Sequence, residues 1–246
     1  MAQNQLLHID EFRAALADYR LSDAAKQTLA GLNLTLLVGP TASGKNTVIN
    51  ELLKTGAYHF IVSDTTRQPR VNDGVMEQNG VEYWFRGEEE VLGDIRGGKY
   101  LEAAVIHQQQ VSGISIRELQ NATDQGKIAI TDAQIDGIDN AIKLKPDTLG
   151  IFILPPNFDE WQRRLHHRGE MPADEYKRRM ESAVVELQAG LDHEYYKFVI
   201  NDDISEAVQQ INQLAKLGQF DEEQQRRGRA LAEQLLLETQ ILLRSL

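Results

Sequence analysis

The sequence predicts an α/β fold, a mostly parallel sheet flanked by helices. Three observations carry that expectation. Short, largely apolar runs recur along the chain: "LTLLVG" (34–39), "YHFIVS" (58–63), "KIAITDA" (127–133), "LGIFILPP" (149–156) and "KFVIND" (197–202). Consecutive apolar residues suit strands covered on both faces. Stretches of helical length, such as 46–54 and 158–166, lie between them, and strand alternating with helix implies right-handed parallel crossovers. Finally, a glycine-rich turn with a lysine stands between the first strand and the first of these helices.

Composition bounds the function. The chain has 246 residues, 41% of them hydrophobic, which is enough for one large domain with a full core. A formal net charge of −11 is the wrong sign for a nonspecific nucleic-acid coat, so no nucleic-acid partner is expected. There is no cysteine, which removes disulfides and thiolate metal sites. The first residues lack a basic segment followed by an apolar run, and no stretch approaches the roughly 20 apolar residues that span a bilayer. No membrane partner and a cytoplasmic location follow as expectations.

Two ends and one internal region stand apart. Residues 1–31 read as a polar, helical extension, with Ser22 as a helix cap. Residues of about 67–115 are richer in Gly, Gln and charge, and "GVEYWF" (80–85) reads as a strand in a small insertion. Residues 217–246 read as an amphipathic helix with Leu231, Leu235, Leu242 and Leu246 on a stripe. That stripe is expected to pack on the N-terminal helices of the same chain, or else on a second copy, so monomer and homodimer stay open.

"LVGPTASGKNTVINELL" (37–53) fits G-x-x-x-x-G-K in its proper strand–loop–helix context. Gly39, Pro40, Thr41, Ala42, Ser43 and Gly44 form a loop whose backbone N–H groups can crowd around phosphate. The following helix turns its positive end to the anion, and Lys45 adds a full charge. The next position usually carries a hydroxyl that ligates Mg²⁺. Here it is Asn46, a neutral oxygen ligand one bond longer. Thr47 is turned about 100 degrees away along a helix. Farther on, "VSDTTRQPRVNDG" places Arg67 and Arg70 around a proline after a strand end. Two guanidiniums so close suit a second phosphate.

These pieces, with "NGVEYWF", "GKYLEAA", "IFILPP", "RRLHHRG" and "VINDD", come in one order. In that order the chain resembles the guanylate kinase family from about Leu34 to Leu214. The resemblance implies a P-loop kinase fold with a guanylate kinase-like domain over 32–216, in which about 67–115 bind the nucleoside monophosphate and about 160–182 form a helical lid. It implies transfer of the ATP γ-phosphoryl group to GMP, dGMP or a related nucleoside monophosphate, with Mg²⁺ as cofactor. Carried over residue by residue, Ser63, Arg67, Arg70 and Tyr83 hold the acceptor phosphate. Glu102 accepts from guanine N1–H and the exocyclic amine, two adjacent donors that suit a carboxylate. Lys45, Arg168 and Arg179 surround the transferring group, Asn201 lies near adenine, and Asp132 supports the metal beside Asn46.

The chain also departs from the family. The family's tyrosine against the acceptor phosphate aligns with Ser112, and its base-contacting hydroxyl with Ile114, unless Ser115 slides in by one residue. Gln134 stands where a base-contacting Asp is expected. The departures cluster at the metal and the acceptor base, while the phosphate-gripping arginines are intact. The first expectation is therefore a kinase of guanylate kinase type with altered or relaxed acceptor choice. The alternative is a catalytically weak or inactive module of the same shape, binding a protein or phosphopeptide.

Overall fold

The structure is a computed structural model and describes residues 6–72, 74–167 and 171–246. In chain order its first elements are α1 (Ile9–Ala17), α2 (Asp23–Ala30), β1 (Leu34–Val38), α3 (Lys45–Lys54), β2 (Tyr58–Phe60), β3 (Asp64–Thr65) and β4 (Val71–Asn72). Then come β5 (Val75–Met76), β6 (Trp84–Phe85), α4 (Glu88–Arg96), β7 (Tyr100–Ile106), β8 (Gln110–Ser115), α5 (Ile116–Asp124) and β9 (Ile128–Asp132). The chain continues through α6 (Ile135–Leu144), β10 (Leu149–Leu154), α7 (Phe158–His166), α8 (Ala173–Asp192), β11 (Tyr196–Ile200), α9 (Ile204–Leu217) and α10 (Glu222–Ser245). No described helix is long and apolar enough to cross a membrane.

The elements divide into two compact units. One comprises Met1–Asn33, His59–Ala129 and Asn140–Pro146; the other comprises Leu34–Tyr58, Ile130–Asp139 and Asp147–Leu246. The second, called here the loop unit, contains β11, β10 and β1, neighbours in that order in one sheet. β1 and β10 run parallel from Thr35↔Leu149 to Val38↔Phe152, and β10 and β11 run parallel as well. All five residues of β1 are buried, as a strand covered on both faces requires. Helix ends follow local chemistry. Asp203 caps α9 by accepting from the Ser205 and Glu206 amides, and Gly218 closes it at φ 62°.

α10 packs against α8 and β11 of the loop unit. The reason is the sheet edge. β11 is an edge strand, and exposed ladder groups favour a cover. Gln225 supplies it: its Oε1 accepts from the Phe198 amide at 2.8 Å and its Nε2 donates to the Phe198 carbonyl at 3.1 Å. Gly228 lets the helix come close, since a Cβ there would sit 2.4 Å from Phe198 Cβ.

The first unit, called the sheet unit, holds a four-stranded sheet in the order β6-β3-β8-β7 and a small β4-β5 ribbon. α1 packs on α4 and β7, and α2 on α5. Phe12, Val91, Leu92, Ile95, Tyr100 and Val111 form its buried core. The first strand of this sheet is β3, Asp64–Thr65. β2 stops at Phe60 instead of running to Ser63, because the Val62 amide turns to the buried carboxylate of Glu118. In "GVEYWF" only Trp84 and Phe85 are strand. Gly80, at φ 80°, starts a turn closed by its amide on the Tyr83 carbonyl at 2.8 Å.

Candidate active site

In the loop unit, the chain leaves β1 through Gly39 and enters α3 through Gly44. Both glycines are demanded by geometry. Gly39 has φ 136°, and a Cβ would lie 2.3 Å from the Ile153 carbonyl oxygen. Gly44 has φ 99°, and a Cβ would lie 2.1 Å from Asn201 Nδ2. Ser43 is fully buried. Lys45 folds back over the loop, its Nζ donating to the Gly39 carbonyl and, at 3.3 Å, to the Pro40 carbonyl. Two further side chains brace the loop from outside. Trp161 Nε1 donates to the Thr41 carbonyl at 2.8 Å, and Asn201 Nδ2 to the Ser43 carbonyl at 2.9 Å. Asn201 is thus a buried strut of the loop.

Beside this loop is a cavity of about 470 Å³, lined by Ala42, Gly44, Thr47, Arg164, His167 and Asn201 among others. Arg164 was not singled out in the sequence. It is fixed between Glu160, at 2.7 Å from Nε, and the Asn201 carbonyl, at 3.0 Å from Nη1. Its signal was available: Glu160 and Arg164 are four apart on one helix, the spacing of a facing pair. Asn46 and Thr47 are exposed on the first turn of α3, and Asp132 is exposed at the end of β9. Gln134 is exposed one turn before Ile138, whose amide it accepts.

Of the two lid arginines, Arg179 pairs with Glu175 on its own helix, Nε at 3.1 Å. Arg168 lies outside the described residues. Two turns on from Arg179, α8 carries Glu186, a group the sequence did not single out. Its Oε2 is buried without a hydrogen-bond partner. Burial pushes its carboxyl up to about 7, and the charge of Lys45 only partly offsets this.

The sheet unit presents a different construction. Arg67 forms a two-pronged pair with Glu77, the Nη2–Oε1 distance being 2.8 Å, and its guanidinium lies 4.8 Å from the Tyr83 ring centroid and 5.5 Å from that of Phe85. Glu77 also accepts the Arg70 amide at 2.9 Å. One carboxylate therefore sets the segment that carries both arginines. Ser63 is half-buried, and its carbonyl accepts the Trp84 amide at 2.9 Å.

Glu102 sits on β7 directly opposite Ile114 of β8, and Ala104 opposite Ser112. Directly opposed residues share a face, so Glu102, Ile114, Ala104 and Ser112 line one side of the pair. Burial alone pushes the Glu102 carboxyl above its ordinary value. Ile114 is buried opposite Glu102. Ser115 caps α5, its Oγ accepting the Glu118 amide. Ser112 donates to Thr65 at 3.0 Å.

Two buried carboxylates that sequence reasoning missed stiffen this unit. Asp64 accepts from Tyr100 at 2.6 Å, Arg86 at 2.8 Å and Arg117 at 2.9 Å. Glu118 accepts from Trp84 and Asn121, each at 3.1 Å. Most of their partners come from distant parts of the chain, so neither role is visible in a local pattern.

A family model for guanylate kinase matches residues 32–216. The chain is 36% identical over 183 residues to the guanylate kinase of Corynebacterium diphtheriae, a match covering 74% of this chain and 93% of that protein. It is 35% identical over 188 residues to the guanylate kinase of Bifidobacterium longum, covering 74% and 92%. Among solved structures it is similar to guanylate kinase from Anaplasma phagocytophilum, with a TM-score of 0.54, 25% identity, and coverage of 82% of this chain and 94% of that one.

Proposed function

The chain belongs to the guanylate kinase family of ATP-dependent nucleoside monophosphate kinases, and on that premise we propose that it moves the γ-phosphoryl group of ATP to GMP. The observation that carries the choice of acceptor is Glu102. It sits half-buried on β7 opposite the buried Ile114, and that burial raises its carboxyl above the ordinary value. Guanine N1–H and the exocyclic amine supply two donors to such a group. A buried acceptor left unmatched costs about 1–3 kcal/mol, so bases lacking those donors bind worse.

The phosphates of ATP lie on the Gly39–Gly44 amides and the N-terminus of α3, with Lys45 leaving its two carbonyls to meet the β- and γ-oxygens. The acceptor phosphate lies over Arg67 and Arg70, which Glu77 holds together, with Ser63 and Tyr83 beside it. Arg168 and Arg179 stabilise the charge that spreads over the transferring group. The adenine occupies the cavity between Arg164 and Asn201. No protein nucleophile is required, because positioning and charge perform the transfer.

Mg²⁺ fits the residues present. Asn46 and Asp132 offer exposed hard oxygens, and no described group of three or more acidic or histidine side chains forms a protein cage. A small cation that keeps its waters and takes phosphate oxygens needs no more than that. When bound, it neutralises charge on the β- and γ-phosphates. Ile114 and Gln134 remove two polar contacts to the base, leaving Glu102 as the principal reader of guanine. A cytoplasmic setting suits a reaction that draws on ATP.

The test is ADP release with Mg·ATP and, in turn, GMP, dGMP, IMP, AMP, CMP and UMP. GMP or dGMP is expected to give the highest kcat/KM. Folded protein that releases ADP with none of them contradicts the proposal.

A further inference from the structure

β7 contains an irregularity beside Glu102. Tyr100 is paired with Ser115, but Glu102 with Ile114. Two steps along β7 match one step along β8, so β7 carries one extra residue, a β-bulge. Shifting a strand by one residue turns each side chain to the other face. Without the extra residue, Leu101 would oppose Ile114 and Glu102 would point away. The bulge therefore aims the carboxylate, and bulges are a recurrent means of re-aiming a side chain beside a site.

A bulge disrupts the ladder locally, and the polar groups of its backbone need other partners. Here a residue outside the family-matched span of 32–216 meets them. The Tyr19 hydroxyl accepts from the Tyr100 amide at 2.8 Å and donates to the Tyr100 carbonyl. The Ser22 amide donates to the Gly98 carbonyl at 3.0 Å, two residues upstream. Gly98 makes this approach possible. It has φ 64°, and a Cβ would lie 2.5 Å from both the Arg20 carbonyl oxygen and the Ser22 nitrogen. The Tyr100 ring is fixed separately, its hydroxyl on Asp64 at 2.6 Å. The bulge is thus held at its backbone by the extension and at its side chain by the sheet unit.

We propose that Tyr19 is a positioning residue for the acceptor base: by holding both backbone groups of Tyr100, the N-terminal extension locks the bulge that turns Glu102 onto the guanine-reading face. This rests on the acceptor assignment made above. Tyr19 touches no substrate, so its loss acts on GMP and leaves the ATP loop alone.

Tyr19→Phe keeps the half-buried ring and removes both bonds. In the full chain it is expected to raise KM for GMP at least fivefold, with kcat and KM for ATP within twofold of the wild type. Hydrogen exchange at the Tyr100 amide is expected to accelerate. Gly98→Ala, which pushes the 20–22 segment off the turn without touching Tyr19, is expected to raise KM for GMP in the same way. A folded Tyr19→Phe protein with faster Tyr100 exchange but an unchanged KM for GMP overturns the positioning role. So does a variant whose KM for ATP rises in step with that for GMP, because that is the response of general destabilisation. Wild-type protein without GMP turnover overturns the acceptor assignment itself, and the positioning role with it.

Discussion

The phosphate loop and the guanine-reading face solve the problem of holding a ligand group in opposite ways. The loop is made of backbone. Its shape is dictated by two glycines that no other residue could replace, and its single functional side chain, Lys45, is held by the loop's own carbonyls. The face in the sheet unit is made of side chains. Glu102, Ile114 and Ser112 owe their common direction to strand register, and that register depends on one extra residue at Leu101. A backbone site tolerates change around it as long as its turn survives. A side-chain site is set by everything that fixes the strand, including residues far away in sequence.

That contrast predicts where substitutions hurt. The largest effect is expected at Lys45. Lys45→Ala should lower kcat by about 10²–10³-fold, the scale of losing one preorganised charge contact in a transition state. Its KM for GMP should stay within a few fold. Steady-state kinetics with both substrates varied checks this, and a comparable loss of GMP affinity would erase the distinction between the two sites.

A smaller effect concerns Glu186. Burial raises its folded-state pKa to about 7 from the ordinary 4.5. The sign follows directly: the folded state holds the proton more tightly than the unfolded chain, so this group's contribution to stability is full below about pH 4.5 and is lost as pH rises toward 7. Glu186→Gln removes that decline. At pH 8 the variant should gain about 2 kcal/mol relative to wild type compared with its standing at pH 5. Urea denaturation at the two pH values measures it. Parallel stability curves for the two proteins would show that the carboxyl is ordinary.

The smallest effect sharpens the comparison between the two ends of the chain. Each end offers one side chain to both backbone groups of a strand residue: Tyr19 to Tyr100 and Gln225 to Phe198. Gln225 serves only the sheet edge. Gln225→Ala should cost about 1–2 kcal/mol of stability, read as a lowered Tm, and should leave both KM values unchanged. A shift in either KM would mean that α10 reaches the chemistry as well.

The same contrast explains what the sequence disclosed. The strand runs, the loop and the paired arginines were legible because each is a local pattern: apolar continuity, glycine spacing, two guanidiniums around a proline. Glu102 was recognisable by its resemblance, but its aim was not, since a bulge has no local residue signature at Leu101. Ser115 was left as an alternative for the base-contacting hydroxyl. Only the helix that follows it shows that its oxygen is already engaged as a cap. Asp64 stands inside the quoted stretch 62–74 and Glu118 on the polar helix α5, yet their partners come from up to 59 residues away. The seat of α10 on α8 and β11 was not legible for a related reason. A leucine stripe says that a helix will be buried but not against what, and the deciding features were an edge strand and a glycine at position 228.

The central claim is that one desolvated carboxylate reads the acceptor base. The most direct measurement is the ratio of kcat/KM for GMP to that for IMP, which differ only in the exocyclic amine, in the wild type and in Glu102→Gln. Losing one hydrogen bond to a charged group is worth about 1.5–3 kcal/mol, so the wild-type ratio should be at least about tenfold and should collapse toward unity in the variant. A wild-type ratio near one, or a ratio that survives Glu102→Gln, would contradict the account.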